Sequence, residues 1–174
     1  MQVPRLTTEH LILRPVTRDD AHAVFEIAGD IRVSKWLSPV PHPYALADAE
    51  NFLERVIDGK EGATWAIEET RRVVGMIAVQ EQLGYYLAPS RWGRGLMTEA
   101  VSAVLASHFK SPNVEVVKSG YFLGNHGSRR VLEKAGFENT DIVPRFSESL
   151  GRTVQMQSMQ LTRKAWSALK RSCE

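Results

Sequence analysis

The chain has 174 residues, 43% hydrophobic and 24% charged, a composition that excludes collagen-like, low-complexity and wholly disordered classes and suits about one domain. Its 22 basic and 20 acidic side chains give a formal charge of +2, too weak a balance for a dedicated nucleic-acid binder; Arg71-Arg72, Arg129-Arg130 and Lys170-Arg171 read as solvated faces. No apolar run approaches ~18 residues, Met1 to Arg5 lacks a signal-peptide core, and one cysteine, Cys173, permits neither an intramolecular disulfide nor a multi-cysteine metal site, so the expectation is a cytoplasmic protein without membrane spans.

Leu11 to Pro15 reads as a short strand stopped by proline. Thr17-Arg18-Asp19-Asp20 then resembles a capping box with Asp in place of Glu, followed by Ala21, Val24, Phe25 and Ala28 at helical spacing. Pro39 to Pro43 is an extended connector, and a second amphipathic helix carries Ala49, Phe52, Leu53, Val56 and Ile57 on one face until Asp58-Gly59 closes it. The period then changes. Thr64–Glu68, Val73–Val79 and Leu83–Leu87 read as strands, with Glu69 to Arg72 as the first turn. A glycine-bearing loop, Arg91-Trp92-Gly93-Arg94-Gly95, leads into a helix from Thr98 to about Lys110 with Met97, Val101, Val104, Leu105 and Phe109 inward. Strands are expected at Val114–Lys118, Asn139–Val143 and Val154–Leu161, a helix at Ser128–Ala135, and a last amphipathic stretch at Lys164–Lys170. With no internal repeat and no linker, the chain reads as a single α/β domain.

A strand, a short glycine loop and a helix can hold phosphate. The helix N-terminus offers unpaired N–H groups and the positive dipole end, and glycine lets backbone approach an anion closely. Gly93-Arg94-Gly95-Leu96-Met97-Thr98 supplies both, with Arg94 as an added charge. The dinucleotide fingerprint fails because Thr98 stands where a third glycine belongs, and the Walker pattern is absent. On this loop alone, anion binding and an ordinary tight turn both remain open.

A second segment adds to the pattern. Pro89-x-x-Trp92-Gly93-Arg94-Gly95-x-x-Thr98-Glu99-Ala100 followed by Asn125-x-x-Ser128-x-x-Val131-Leu132-Glu133-Lys134-x-Gly136-Phe137 resembles the GNAT superfamily of acyl-CoA-dependent N-acetyltransferases. Leu6 to Pro15, and Trp65-Ala66-Ile67 followed by Val74-Gly75, are similar to its RimJ/RimL-like branch, which acetylates protein N-termini. The resemblance implies an α/β (α+β) GNAT-type domain over residues 6–166, with 167–174 as a C-terminal tail. It implies a mixed, mostly antiparallel central sheet flanked by helices, with a splayed strand pair holding acetyl-CoA. Carried over residue by residue, Trp92, Gly93, Arg94, Gly95, Met97 and Thr98 would contact the pyrophosphate. Tyr85-Tyr86-Leu87 would pair with the pantetheine arm, one backbone N–H polarising the thioester carbonyl; Asn125 would bond the cofactor, and Ser128 would lie near the thioester sulfur.

Two positions depart from the family pattern. Met97 stands where Gly or Ala is usual, which fits if its side chain turns into the core. Leu132 stands where many members carry a proton-donating tyrosine; Ser128 is the candidate donor to the leaving thiolate, for which a weak donor or a water suffices. The hairpin from Val79 to Leu83 is also shorter than in related sequences. An α-amine of pKa ~8 costs roughly 1.4 kcal/mol to deprotonate at pH 7, against roughly 4.6 for a lysine, so a modest base suffices. Glu81 is the candidate base, while Glu99 reads as a complement to the helix dipole. His42 and Trp36 are candidate acceptor contacts, His126 reads as solvent-facing or cofactor-adjacent, and Arg14 as a surface ion pair. No metal is expected, since the chain has neither an HxxxH helix nor a Cys/His cluster. The expected partners are acetyl-CoA and an amine acceptor, either a protein N-terminus or a small molecule (amino acid, antibiotic, polyamine), with no nucleic acid and no membrane; homodimerisation is a family tendency. A non-catalytic acyl-CoA sensor is the competing class, motivated by Leu132, Met97 and the lack of an evident base.

Overall fold

Period-two alternation in the first half of the chain builds one sheet, and helical spacing supplies its coverings. The computed structural model describes residues 3–172; Met1, Gln2 and Cys173 lie outside them. Strands β1 (Leu6–Thr7), β2 (Ile12–Pro15), β3 (Ala63–Glu69), β4 (Arg72–Val79) and β5 (Leu83–Leu87) pair antiparallel in chain order. β6 (Val116–Phe122), β7 (Glu138–Ser147) and β8 (Arg152–Thr162) make a second antiparallel sheet in the order β6-β8-β7. The expected splayed pair is β5 and β6: no ladder joins them among the described residues, and the central sheet divides there into two. The two strands still lie side by side, because Ser119 Oγ donates to the Leu83 carbonyl at 2.8 Å. Tyr85, two residues further on, reaches Ser128 beyond the end of β6, so β5 and β6 run in the same sense.

Side chains of the first sheet divide by parity between two layers. Trp65, Ile67, Ile77, Val79, Leu83 and Leu87 share a core with Val101, Val104 and Leu105 of α4 (Leu96–His108), Leu132 of α5 (His126–Lys134), and Met159 and Leu161 of β8. Ala66 and Met76 face the other way, packing with Val24 of α1 (Ala21–Gly29) and Ala49 and Leu53 of α3 (Leu46–Ile57). Gly75 is required between β4 and β5. A Cβ there would strike the Tyr86 carbonyl and lie 2.8 Å from Leu87 Cδ2.

Several boundaries differ from the sequence reading. A short α2 (Ile31–Ser34) follows α1, capped by Asp30, whose carboxylate accepts the Arg32 N–H at 2.9 Å. Ile57 ends α3 at 43% exposure, off the buried stripe. β6 begins at Val116 rather than Val114, and β7 runs on through Pro144 to Ser147. Proline is tolerated there because β7 is an edge strand whose outer side needs no donor. The expected tail continues instead as α6 (Arg163–Ser172). Trp166 stacks on Phe109 with centroids 5.6 Å apart, and the Arg163 guanidinium donates to the carbonyls of Val114, Phe109 and Ser111.

Candidate active site

The glycine loop lies between the end of β5 and α4. Gly93 and Gly95 adopt φ of 74° and 78°, which side chains rarely adopt, and a Cβ at either would meet nothing within 4 Å. Conformation, not crowding, demands these glycines, and the space above them is open. α4 starts at Leu96, two residues before the expected Thr98, so the N–H groups of Leu96, Met97 and Thr98 belong to its first turn, which lacks intrahelical acceptors. Met97 is buried in the core between the sheet and α4, which satisfies the condition set by its bulk. Trp92 is half-exposed, and its indole N–H donates to the Leu87 carbonyl at 2.9 Å, folding the loop back onto β5. Glu69, a buried carboxylate at the end of β3, pairs with Arg91 Nε at 2.5 Å and Arg94 Nη2 at 2.8 Å. A two-residue turn, Thr70-Arg71, with positive φ at both residues (48° and 62°), places Glu69 there.

Asn125 caps α5. Its Oδ1 accepts the Ser128 N–H at 3.1 Å. Ser128 Oγ lies 2.9 Å from the Tyr85 hydroxyl, which also stands 3.3 Å from the Ser128 carbonyl. Burial pushes the Tyr85 phenol far above its ordinary pKa, an effect its bond to Ser128 only partly offsets, so the phenol stays protonated at neutral pH. The Ala88 N–H donates to the Val74 carbonyl at 2.8 Å, which sets the ladder parity along β5. Even-numbered residues bond to β4, and the backbone groups of Leu83, Tyr85 and Leu87 turn toward β6. The Leu83 and Leu87 carbonyls are taken by Ser119 and Trp92, and the Tyr85 N–H projects between them into the opening where the two sheets part. Leu132 is fully buried, so a hydrophobic side chain there serves the core.

The two adjacent tyrosines face opposite layers. Tyr85 packs on the α4/α5 side, and Tyr86 on the α1/α3 side near Tyr44. Burial raises both of the latter phenols, Tyr44 to about 12 with help from Asp48. Trp36 approaches Gly124, the residue before the Asn125 cap, with its ring 3.7 Å from the position of a Cβ there. Lys35 Nζ lies 5.0 Å from the Trp36 ring centroid. His42 is exposed in the connector before α3, and His126 is exposed in the first turn of α5. Glu81 sits in the β4–β5 turn and lines a cavity of about 420 Å³ with Gln82, Val116 and Lys118, at the end of β5 remote from the glycine loop. Glu99 ties α4 to the N-terminal segment, accepting the His10 N–H at 2.8 Å and facing His10 Nδ1 at 2.9 Å. Burial opposes its ionisation, but hydrogen bonds from Thr8 and His10 outweigh that and hold it below its usual range. Arg14 is no surface pair. Its guanidinium, 19% exposed, binds Asp20 at 2.8 and 3.0 Å and Glu68 at 2.8 Å, and is fully engaged within the fold. Among the described residues no group of three or more His, Cys, Asp or Glu could hold a metal, and no helix is long and apolar enough to cross a membrane.

Two participants escape the sequence reading. Glu69 sits in what reads as a turn, 25 residues from Arg94, and only the fold joins them. The Tyr85 side chain meets Ser128 across 43 residues; alternation along β5 shows that one tyrosine faces each layer without saying which.

The glycine loop at the N-terminus of α4, the parted strands β5 and β6 and the Asn-capped helix α5 with Ser128 thus lie around one opening. The acetyltransferase (GNAT) domain family matches residues 10–138, and the chain belongs to it. It is similar to the uncharacterized N-acetyltransferase YoaA of Bacillus subtilis, 25% identical over 162 residues that cover 82% of this chain and 88% of that protein. Its fold is shared by RimL, a ribosomal L7/L12 α-N-protein acetyltransferase solved with coenzyme A, at a TM-score of 0.80, 13% identity and coverage of 93% of this chain and 99% of that one. It is shared too by AAC(6')-Ib, solved with ribostamycin and coenzyme A, at a TM-score of 0.75, 21% identity and coverage of 91% and 97%. The protein is an acetyl-CoA-dependent acetyltransferase.

Proposed function

We propose that the protein moves acetyl from acetyl-CoA directly to a primary amine in a ternary complex, and that the acceptor is a peptide or protein N-terminal α-amine. The observation that carries the reading is the alignment of three parts along β5: the glycine loop at its end, the Tyr85 N–H on its free edge, and Ser128 beside its centre. In this reading the N–H groups of residues 93–98 hold the pyrophosphate, and those of Tyr85 and Leu87 face the pantetheine arm and thioester carbonyl. Asn125 contacts the cofactor with the part of its amide that capping leaves over. Ser128 Oγ–H faces the departing sulfur. Trp36 and His42 belong to the acceptor side, where Tyr86 and Tyr44 also lie.

The choice of an α-amine rests on proton chemistry. Glu99 is committed to His10, and Glu81 stands at the far end of β5, four residues before Tyr85 and up to ~13 Å away at strand rise. Glu81 could reach the amine only through a chain of waters, and so weak a base suits an amine that loses its proton near neutrality rather than a lysine. RimL, named for acting on a protein α-amine, shares the fold; AAC(6')-Ib, solved with an aminoglycoside, keeps a small-molecule amine as the second reading.

Calorimetric titration with acetyl-CoA and CoA, with NAD and ATP as controls, tests the cofactor assignment, and selective micromolar binding is expected. A panel of free α-amine peptides, amino acids, polyamines and aminoglycosides then tests the acceptor. Ser128→Ala is expected to lower kcat at least tenfold with little change in acetyl-CoA affinity. An unchanged kcat would remove Ser128 from the chemistry, and binding without turnover on the whole panel would favour a sensor.

A further inference from the structure

The Tyr85 phenol rises from β5 on the α4/α5 side of the sheet and meets Ser128. Its one proton has two acceptors in reach, Ser128 Oγ at 2.9 Å and the Ser128 carbonyl at 3.3 Å, of which Oγ is the nearer, and the ring packs on the core that holds Leu132. Ser128 and Leu132 are one helical turn apart on the same face of α5. The phenol that many family members would carry on α5 is therefore absent from that helix, while a phenol from β5 meets the same face one turn nearer its N-terminus. A serine hydroxyl is a rotor with one proton and two acceptor positions. Left alone it can turn its proton to any nearby carbonyl. A second hydroxyl that donates to Oγ fills an acceptor position and leaves the Ser128 proton to point elsewhere. Chained hydroxyls also polarise one another, so an Oγ that accepts from Tyr85 donates more strongly.

We propose that Tyr85 is the positioning residue for Ser128: its phenol donates to Ser128 Oγ and turns the serine O–H toward the opening between β5 and β6, where it stabilises a thiolate. This deepens the proposed function and rests on it. No covalent bond to the protein is involved. As the C–S bond breaks, the sulfur leaves with the bonding pair and accepts a hydrogen bond from Ser128 Oγ–H. Solvent later supplies the proton that completes the thiol, and the acceptor's lost protons go to solvent. The phenol keeps its proton throughout, as its burial requires. Tyr85 would thus serve twice, by its N–H toward the thioester carbonyl and by its side chain through Ser128.

The test needs no acceptor. CoA and acetyl-CoA are titrated into wild type, Tyr85→Phe, Ser128→Ala and the double variant at pH 7 and pH 9.5. A free thiol titrates near ~8.5, so only CoA gains a thiolate across this range. The titratable groups on the elements around Ser128 are His126, Arg129 and Arg130 on α5, Lys118 and Tyr121 on β6 and Glu99 on α4. Their effect on the parts that both ligands share cancels in the ratio of CoA to acetyl-CoA affinity, and their effect on the thiolate is common to wild type and Tyr85→Phe. In wild type this ratio is expected to rise about tenfold with pH. Tyr85→Phe should remove most of the rise while leaving acetyl-CoA affinity and melting temperature nearly unchanged. Ser128→Ala should remove the same rise, and the double variant should match Ser128→Ala. A full rise in Tyr85→Phe, losses that add in the double variant, or a parallel fall in acetyl-CoA affinity would each overturn the proposal while the cofactor assignment stands. Failure of wild type to bind either ligand would instead bring down the proposed function, and this role for Tyr85 with it.

Discussion

Gly95 carries a prediction that its surroundings alone would not suggest. An alanine methyl there meets nothing within 4 Å, yet the residue would keep a left-handed φ of 78° at a cost of about 1–2 kcal/mol. If the loop relaxes to avoid that cost, the α4 N–H groups lose their aim. Gly95→Ala is therefore expected to weaken acetyl-CoA binding about tenfold while lowering stability only slightly, read by calorimetry and thermal melting; unchanged affinity would show that the loop does not hold the ligand. At this scale the sequence was partly legible. The inward turn of Met97 follows from its helical spacing with Val101 and Val104. The choice between Tyr85 and Tyr86 did not follow, since alternation assigns two faces but not their contents. Glu69 was illegible because its partners, Arg91 and Arg94, reach it only once β3 and the glycine loop are side by side.

Among elements, the join of β2, β3 and the short 3-10 turn Arg18–Asp20 shows how an ion pair read as superficial becomes structural. Asp20, 4% exposed, accepts from the Thr17 N–H at 2.8 Å and from the Arg14 guanidinium, which Glu68 of β3 also holds. Asp20→Ala would strand part of a buried charge and an N–H, so a loss of about 2–4 kcal/mol is expected. For a chain of this size that lowers the melting temperature by roughly 5–15 °C. A shift below a degree would mean that water replaces the carboxylate freely. Arg14 and Asp20 are six residues apart, close enough for the pairing to be legible, but its burial depends on α3 and β3 closing over it. Most helices and strands were legible from their periods. The break between β5 and β6 followed from the family resemblance and not from the pattern, because a strand shows the same alternation whether or not its far edge is paired.

The whole molecule consists of two sheets that share a core yet no ladder, held together at separate points. Ser119 links β6 to β5. On another side, Ser38 Oγ donates to the Phe146 carbonyl at 2.8 Å, the Glu148 N–H to the Ser38 carbonyl at 3.1 Å, and Ser149 Oγ to the Ser34 carbonyl at 2.9 Å. The segment after α2 is thereby bound to the β7–β8 hairpin. A ligand lying along β5 and β6 would add to these few links, so acetyl-CoA should stabilise the fold by mass action. At a hundredfold excess over its Kd the gain is about 2.7 kcal/mol, a rise in melting temperature of roughly 5–10 °C. A flat melting curve over that range would contradict binding at this site. The contact between Glu69 and the two loop arginines bears on which ligands gain entry. The resting loop carries an internal counter-ion, so a diphosphate bound there would exchange with a carboxylate instead of meeting two bare cations. An anion that offers charge alone gains little from that exchange. One that also satisfied the backbone donors would gain from both, and a loop of this build would select for shape ahead of charge.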